Sequence, residues 1–267
     1  MFEHIILGAI QGITEWVPIS SKGCVIAAKV HFFHSQDSLN DLINYALLLH
    51  LGTFFAAVVY FWKDIQNIFR SCLAPQDDSR DGRKVLIFLL TTTVLTALGQ
   101  LIINHADALA HSLPHAKTAV TSIIAACLII AGFVQLKAPA EGERTQKDLT
   151  LLDGLILGLT QAIATMPGLS RAGTTMAALS FRKFDKEHTL KLSFLMSLPV
   201  ILVGNIVKNH HAILTFGPQW MGVLASFVVG ILSIKTIMGF ARRINFGWFL
   251  VTIGSILSVA ILTGMLD

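Results

Sequence analysis

Ile6-Leu7-Gly8-Ala9-Ile10-Gln11-Gly12-Ile13-Thr14-Glu15, leading into Pro18-Ile19-Ser20-Ser21-Lys22-Gly23-Cys24, returns 150 residues later. The second copy starts at Ile156-Leu157-Gly158 and passes through Gln161 into Pro167-Gly168-Leu169-Ser170-Arg171-Ala172-Gly173. Identities at this fixed offset include Gly8/Gly158, Gln11/Gln161, Ile13/Ile163, Ser20/Ser170, Gly23/Gly173 and Ala27/Ala177. Each copy is an apolar run broken at its centre by Pro, Gly, Ser and a cation. A repeat of this kind fixes the architecture before any local reading does.

Composition says where such a repeat lives. The chain has 267 residues, 54% hydrophobic and 13% charged, with mean hydropathy +0.68. Soluble domains carry about 25% charged residues, so most of this surface meets lipid. The net charge of +4 is carried in loops, where it reads as membrane orientation and not as nucleic-acid binding. Cys24, Cys72 and Cys127 are odd in number and scattered, which gives no disulfide framework. The first residues lack a basic region and a small-residue cleavage site, so no removable signal peptide is expected. One membrane domain over 1–267 is predicted, with repeat 1 at about 1–137 and repeat 2 at about 151–267.

Residues 1–17 and 25–33 are apolar pieces separated by the Pro18 break, and neither reaches the ~20 residues of a spanning helix. Two half-length helices read as a re-entrant hairpin, with a single kinked span as the alternative. Non-helical backbone at that depth needs protein or a water-filled cavity around it. Spans are predicted at 42–62, 85–104, 118–135, 192–207, 221–241 and 246–266, and a second broken hairpin at 153–166 and 174–181. The segment 63–84 reads as a basic loop, and Lys137, Arg144 and Lys147 lie in another. Arg182, Lys183, Lys186 and Lys191 close the second hairpin, and Arg242-Arg243 separates the last two spans. If these basic segments are cytoplasmic, the first hairpin has its ends outside and the second inside. The predicted fold is therefore all-α and polytopic, with two inverted-topology repeats, each a broken re-entrant hairpin plus three spans. The site of such a fold lies near the midplane, where the breaks meet.

Charges at membrane depth are costly and mark function. Glu15, Lys22 and Arg171 flank the breaks, and His50 sits mid-span. Ser20, Ser21, Ser170, Thr174 and Thr175 supply hydroxyls there, and half-helix N-termini favour an anion. A guanidinium, an ammonium and hydroxyls together suit phosphate. Glu15 then serves either as a ligand for a divalent cation or as a proton acceptor. The bland alternative is a Glu15–Arg171 ion pair that only pins the repeats together.

These residues resemble a known family. Gln11-Gly12-Ile13-Thr14-Glu15 is similar to the glutamate-rich signature of the undecaprenyl-pyrophosphate phosphatase (bacitracin-resistance) family. Pro18-Ile19-Ser20-Ser21-Lys22-Gly23 resembles that family's Pro-Val-Ser-Ser-Thr-Gly segment. Pro167-Gly168-Leu169-Ser170-Arg171-Ala172-Gly173 resembles its Pro-Gly-x-Ser-Arg-Ser-Gly motif, and Ser193 to Pro199 adds a further element. The resemblance covers essentially the whole chain. It implies a multi-pass hydrolase of the bacterial inner membrane that converts undecaprenyl pyrophosphate to the monophosphate carrier for peptidoglycan synthesis. It implies Glu15, Ser21 and Arg171 as the catalytic set. Gln11, Ser20, Lys22, Gly23, Ser170, Gly173, Thr174 and Thr175 would then bind substrate. A divalent cation, Mg²⁺ or Ca²⁺, with Glu15 as a ligand, is implied too. The implied partners are the polyprenyl pyrophosphate and membrane lipids, without nucleic acid, and a homodimer is left open. Ser21 is the implied nucleophile, with attack by water as the alternative.

Two departures matter. The family has His where this chain has Cys24, and Thr where it has Lys22. Near neutral pH a thiol, with an ordinary pKa of about 8.5, is a poor replacement for imidazole as a proton carrier. Either the missing His was auxiliary, or another residue replaces it, or hydrolysis is lost. His50, where the family pattern has Gln, is the candidate for proton transfer; a His bonded between helices is the alternative. A transporter or flippase of a phosphorylated polyprenyl lipid is the competing function, and a non-catalytic scaffold a third. Asp153 reads as a helix N-cap or first-turn residue, and Trp16, Trp62, Trp220 and Trp248 as mostly interfacial.

Overall fold

The computed structural model describes residues 1–73, 80–110, single helical positions between 122 and 136, and then 142–165, 169–240 and 246–263. Parts of the predicted span 118–135, Lys137, the Pro167-Gly168 break and Arg242-Arg243 lie outside the described residues. What is described is helical, apart from one isolated bridge between Arg144 and Phe184.

The first apolar piece forms α1 (Phe2–Thr14), which ends as Glu15, Trp16 and Pro18 leave the helix. Ser20 then caps α2 (Ser21–His31), its hydroxyl accepting from the Gly23 amide at 3.2 Å. The second copy repeats this. α6 (Leu151–Ile163) precedes α7 (Arg171–Phe181), which Ser170 caps by accepting from the Gly173 amide at 3.1 Å. Thus α2 and α7 start 150 residues apart, at Ser21 and Arg171. Asp153 sits in the first turn, one of its two expected places: Thr150 is the N-cap, and the two form a reciprocal capping box. Fully buried, Asp153 also accepts from Arg144 at 2.6 Å and from Arg182 at 2.7 Å.

Between the hairpins lie α3 (Leu39–Tyr60), α4 (Trp62–Leu73) and α5 (Arg80–Ala110), and after them α8 (Lys186–Leu214), α9 (Gln219–Gly239) and α10 (Phe246–Leu262). Four described helices are long and apolar enough to cross a membrane: α3, Asp81–Ile103 within α5, α8 and α9. Their outward stripes are apolar, as on α5 at Leu90, Val94, Leu98 and Leu101 and on α9 at Leu224, Val228 and Leu232.

Two expectations are corrected. The predicted loop 63–84 contains α4, because Ile65 and Ile68 recur at helical spacing, Ile68 packing with Val85 and Phe88 of α5 and Ile65 against the cluster of Phe61, Phe194 and Leu198. Low average hydropathy hid this helix, whose opposite face carries exposed Lys63, Asn67 and Arg70. Asp64 anchors it to Lys191 of α8 at 2.5 Å. Trp16 is not interfacial: it is fully buried, donates to the Gly230 carbonyl at 3.0 Å and meets Phe194 edge-on. Trp62 and Trp248 do stay exposed.

The halves pack by exchange. α1 lies against α9 of the other half and α6 against α5, while α3 and α8 cross at the centre. Asn205 and Asn209 of α8 donate to the Leu47 and Asn44 carbonyls of α3, at 2.9 and 3.0 Å. Close approach needs small residues at the exchanged seams. A Cβ on Gly8 would stand 2.1 Å from the Gly222 carbonyl oxygen, and one on Gly158 would stand 2.8 Å from the Leu95 Cβ. Gly8→Ala is therefore expected to destabilise by about 2 kcal/mol through overpacking against backbone. Gly239→Ala, with nothing within 4 Å, should stay within about 0.5 kcal/mol. Denaturation of both variants in detergent checks this pair.

Candidate active site

Glu15 follows α1 directly, and its carboxylate is the meeting point of four elements. Gln11, one turn back on α1, donates from Nε2 to Oε2 at 2.8 Å. Ser21, first residue of α2, donates from Oγ to the same oxygen at 2.8 Å. His50 of α3 brings Nε2 to 3.1 Å from Oε2. Arg171, first residue of α7, pairs through Nη2 with Oε1 and donates through Nη1 to the Ser193 carbonyl of α8 at 3.0 Å. Glu15 is 4% exposed and Gln11 fully buried, so the cluster is shielded from bulk solvent.

The His50 ring is oriented by its other nitrogen. Nδ1 lies 2.6 Å from the Ala46 carbonyl, which can only accept, so Nδ1 carries a proton. The neutral ring then turns the lone pair of Nε2 towards Ser21 Oγ, 3.4 Å away. A protonated ring would instead donate to Glu15. Either way Ser21, Glu15 and His50 form a connected route for one proton.

Beside the cluster lies a cavity of about 80 Å³, enough for several waters or a phosphoryl group. Glu15, Ser20, Ser21, Lys22, His50 and Arg171 line it with Gln161, Thr165 and Ser197, and Leu47, Leu169, Val200 and Ile201 add apolar wall. Much of the lining pairs across the repeat: Glu15 with Thr165, Ile19 with Leu169, Ser21 with Arg171, Lys22 with Ala172, Leu47 with Ser197 and His50 with Val200. The breaks of both copies therefore share one cavity.

Not every predicted residue reaches it. Ser170 and the Gly173 amide satisfy each other as a helix cap, and Ser20, though it lines the cavity, has its hydroxyl taken by the Gly23 amide in the same way. Thr174 donates back to the Ser170 carbonyl, and Thr175, fully buried, bonds to the Arg171 carbonyl and to Ser193 Oγ. Their hydroxyls hold α7 against itself and α8. Cys24 is not among the lining residues; the imidazole at the cavity comes from α3 instead. Gln161, noted in the sequence only as a mark of the repeat, lines the cavity with its Oε1 unpartnered. Its Nε2 donates to Thr96 at 3.0 Å. A buried amide at the repeat mate of Gln11 was the available signal.

A divalent cation fits this donor set poorly. Ca²⁺ takes about six to eight oxygens and Mg²⁺ one or two carboxylates with waters and substrate phosphates, so either needs a carboxylate oxygen free to bind it. Glu15 is the only carboxylate in the lining, and both its oxygens already meet protein donors. The described residues contain no group of three or more His, Cys, Asp or Glu able to hold a metal.

The buried pair is open to a thermodynamic cycle. Glu15→Gln alone should destabilise by about 3 kcal/mol, because the Arg171 charge is left without its partner. Glu15→Gln with Arg171→Gln should recover a large part of that loss, which unfolding of the three variants in detergent measures.

Known proteins resemble this chain over nearly its whole length. Undecaprenyl-diphosphatase of Methanococcoides burtonii is 34% identical over 265 residues, covering 96% of each chain. The protein of the same name from Thermodesulfovibrio yellowstonii is 31% identical with 95% of each covered. That of Moorella thermoacetica is 33% identical, covering 91% of this chain and 90% of its own. The sequence profile of the bacitracin resistance protein BacA family matches residues 4–257, and the chain belongs to that family.

Proposed function

We propose that the protein hydrolyses undecaprenyl pyrophosphate, or a similar polyprenyl pyrophosphate, to the monophosphate lipid and inorganic phosphate. This regenerates the lipid carrier of cell-wall polymers at a bacterial inner membrane. The observation that carries the reading is Ser21 held by Glu15 and faced by His50, in one cavity with Arg171. The near full-length likeness to proteins named undecaprenyl-diphosphatase supports the substrate.

Ser21 Oγ attacks the terminal phosphorus and passes its proton to Glu15 Oε2, to which it already donates, and onward to His50 Nε2. The phosphoanhydride P–O bond breaks, and its electron pair leaves with the polyprenyl phosphate. That group is already a stable anion and needs no proton. Arg171 stabilises the charge on the phosphoryl oxygens, held in place by Glu15 and the Ser193 carbonyl. Water then attacks the phosphoserine: His50 returns its proton to the departing Ser21 Oγ, Glu15 and His50 take the proton of the water and release it to solvent, and inorganic phosphate leaves with Ser21 restored.

The fold is read as an inverted-topology repeat with two re-entrant hairpins. At 1.5 Å per residue α1 reaches about 20 Å and α2 about 17 Å, short of the ~30 Å hydrocarbon core. The reciprocal packing of α1 on α9 and α6 on α5 supports the two-fold relation. The apolar cavity wall suits the start of a prenyl chain.

In detergent, the protein should release phosphate from undecaprenyl pyrophosphate, measured colorimetrically. Ser21→Ala and Arg171→Ala should each lower turnover about 100-fold or more. Full turnover by Ser21→Ala would assign the attack to water. His50→Ala should also cost about 100-fold, the low end for a lost proton acceptor, and unchanged turnover would end its proposed role. Binding of the lipid without any release of phosphate would point to a carrier instead.

A further inference from the structure

Lys22 is the charge at the cavity that the catalytic cluster leaves unexplained. It lines the cavity with Glu15, His50 and Arg171, yet it makes no ion pair or hydrogen bond recorded among the described residues. Its position is costly on two grounds. A part-buried ammonium at membrane depth needs a counter-charge. It also sits in the first turn of α2, where the positive end of the helix dipole repels a cation. Arg171 has the same position on α7, but there Glu15 offsets it. Among the described residues the lining therefore holds one carboxylate against the basic side chains of Lys22 and Arg171, with the imidazole of His50 beside them.

A cavity of that charge attracts a polyanion and repels a divalent cation. The oxygen ligands tell the same story, since the single carboxylate is already shared among Gln11, Ser21, His50 and Arg171. We infer that this enzyme binds and hydrolyses its pyrophosphate substrate without a divalent cation, Lys22 supplying the positive charge at the phosphates. This rests on the hydrolase reading above. Lys22 acts as a point charge that follows the phosphate oxygens, complementing the planar fork of Arg171.

The test compares wild type, Lys22→Thr and Lys22→Arg in detergent, each with excess EDTA and with millimolar Mg²⁺ or Ca²⁺. Two quantities are read: phosphate release from undecaprenyl pyrophosphate, and affinity for a non-hydrolysable methylene-bridged farnesyl diphosphonate. Wild type should turn over in EDTA within about twofold of its rate with metal, and Lys22→Arg should keep most of that activity. Lys22→Thr should lose about tenfold or more in both quantities in EDTA, the scale of one charge-assisted contact, and regain part with metal. Wild-type activity that disappears in EDTA and returns with Mg²⁺ would overturn the inference while leaving the hydrolase reading intact. So would Lys22→Thr behaving as wild type in EDTA. Absence of phosphate release under every condition would remove the hydrolase reading instead. The diphosphonate affinities would still decide whether Lys22 replaces a metal in binding.

Discussion

A carboxylate buried as deeply as Glu15 stays charged only if its oxygens are fully occupied, and the donors come from widely separated parts of the chain. Gln11 and Ser21 come from the first hairpin, His50 from α3 and Arg171 from the second hairpin. Meeting that demand forces both breaks to one depth and one side. Trp16, bonded to the Gly230 carbonyl directly beside the carboxylate, fixes the chain as it leaves α1. The cavity lies beside the starts of α2 and α7, which these two constraints hold together.

Pairing across the repeat explains how chemistry was divided between equivalent positions. A symmetric site would offer each phosphate two identical walls. Here Glu15 faces the position of Thr165, Ser21 that of Arg171, and His50 that of Val200. Carboxylate, hydroxyl and imidazole gather from the first copy, and the guanidinium from the second. Structural duties have diverged as well: Asp153 with Arg144 and Arg182 ties down the ends of the second hairpin, while Glu3, its counterpart at the start of α1, has no such bond among the described residues.

Much of this was legible in the sequence, for particular reasons. The fixed offset located both breaks, because Pro, Gly and Ser punctuate an apolar run unmistakably, and the Ser20 and Ser170 caps fell at the same register. Intramembrane charge located Glu15, Arg171, Lys22 and His50, since such residues persist only where something compensates them. The roles of Thr174 and Thr175 were not legible, because a hydroxyl near a break can face a cavity or its own helix with the same sequence spacing. Helix α4 was hidden by averaging, its apolar stripe diluted by charges on the other face. Gln161 was visible only as a repeated letter; its value as a buried acceptor depends on Thr96 and Met196, which lie far away in the chain.

The exchanged glycine seams carry a consequence for descent. The tight face of α1 around Gly8 meets α9, and that of α6 around Gly158 meets α5, so each hairpin is completed by the other half. A chain the length of one repeat would present its hairpin with that face open, and could close it only against another chain. Before duplication, the ancestral unit would therefore have been an obligate pair of identical subunits. Fusion then fixed the pair in one polypeptide and freed its two halves to become different.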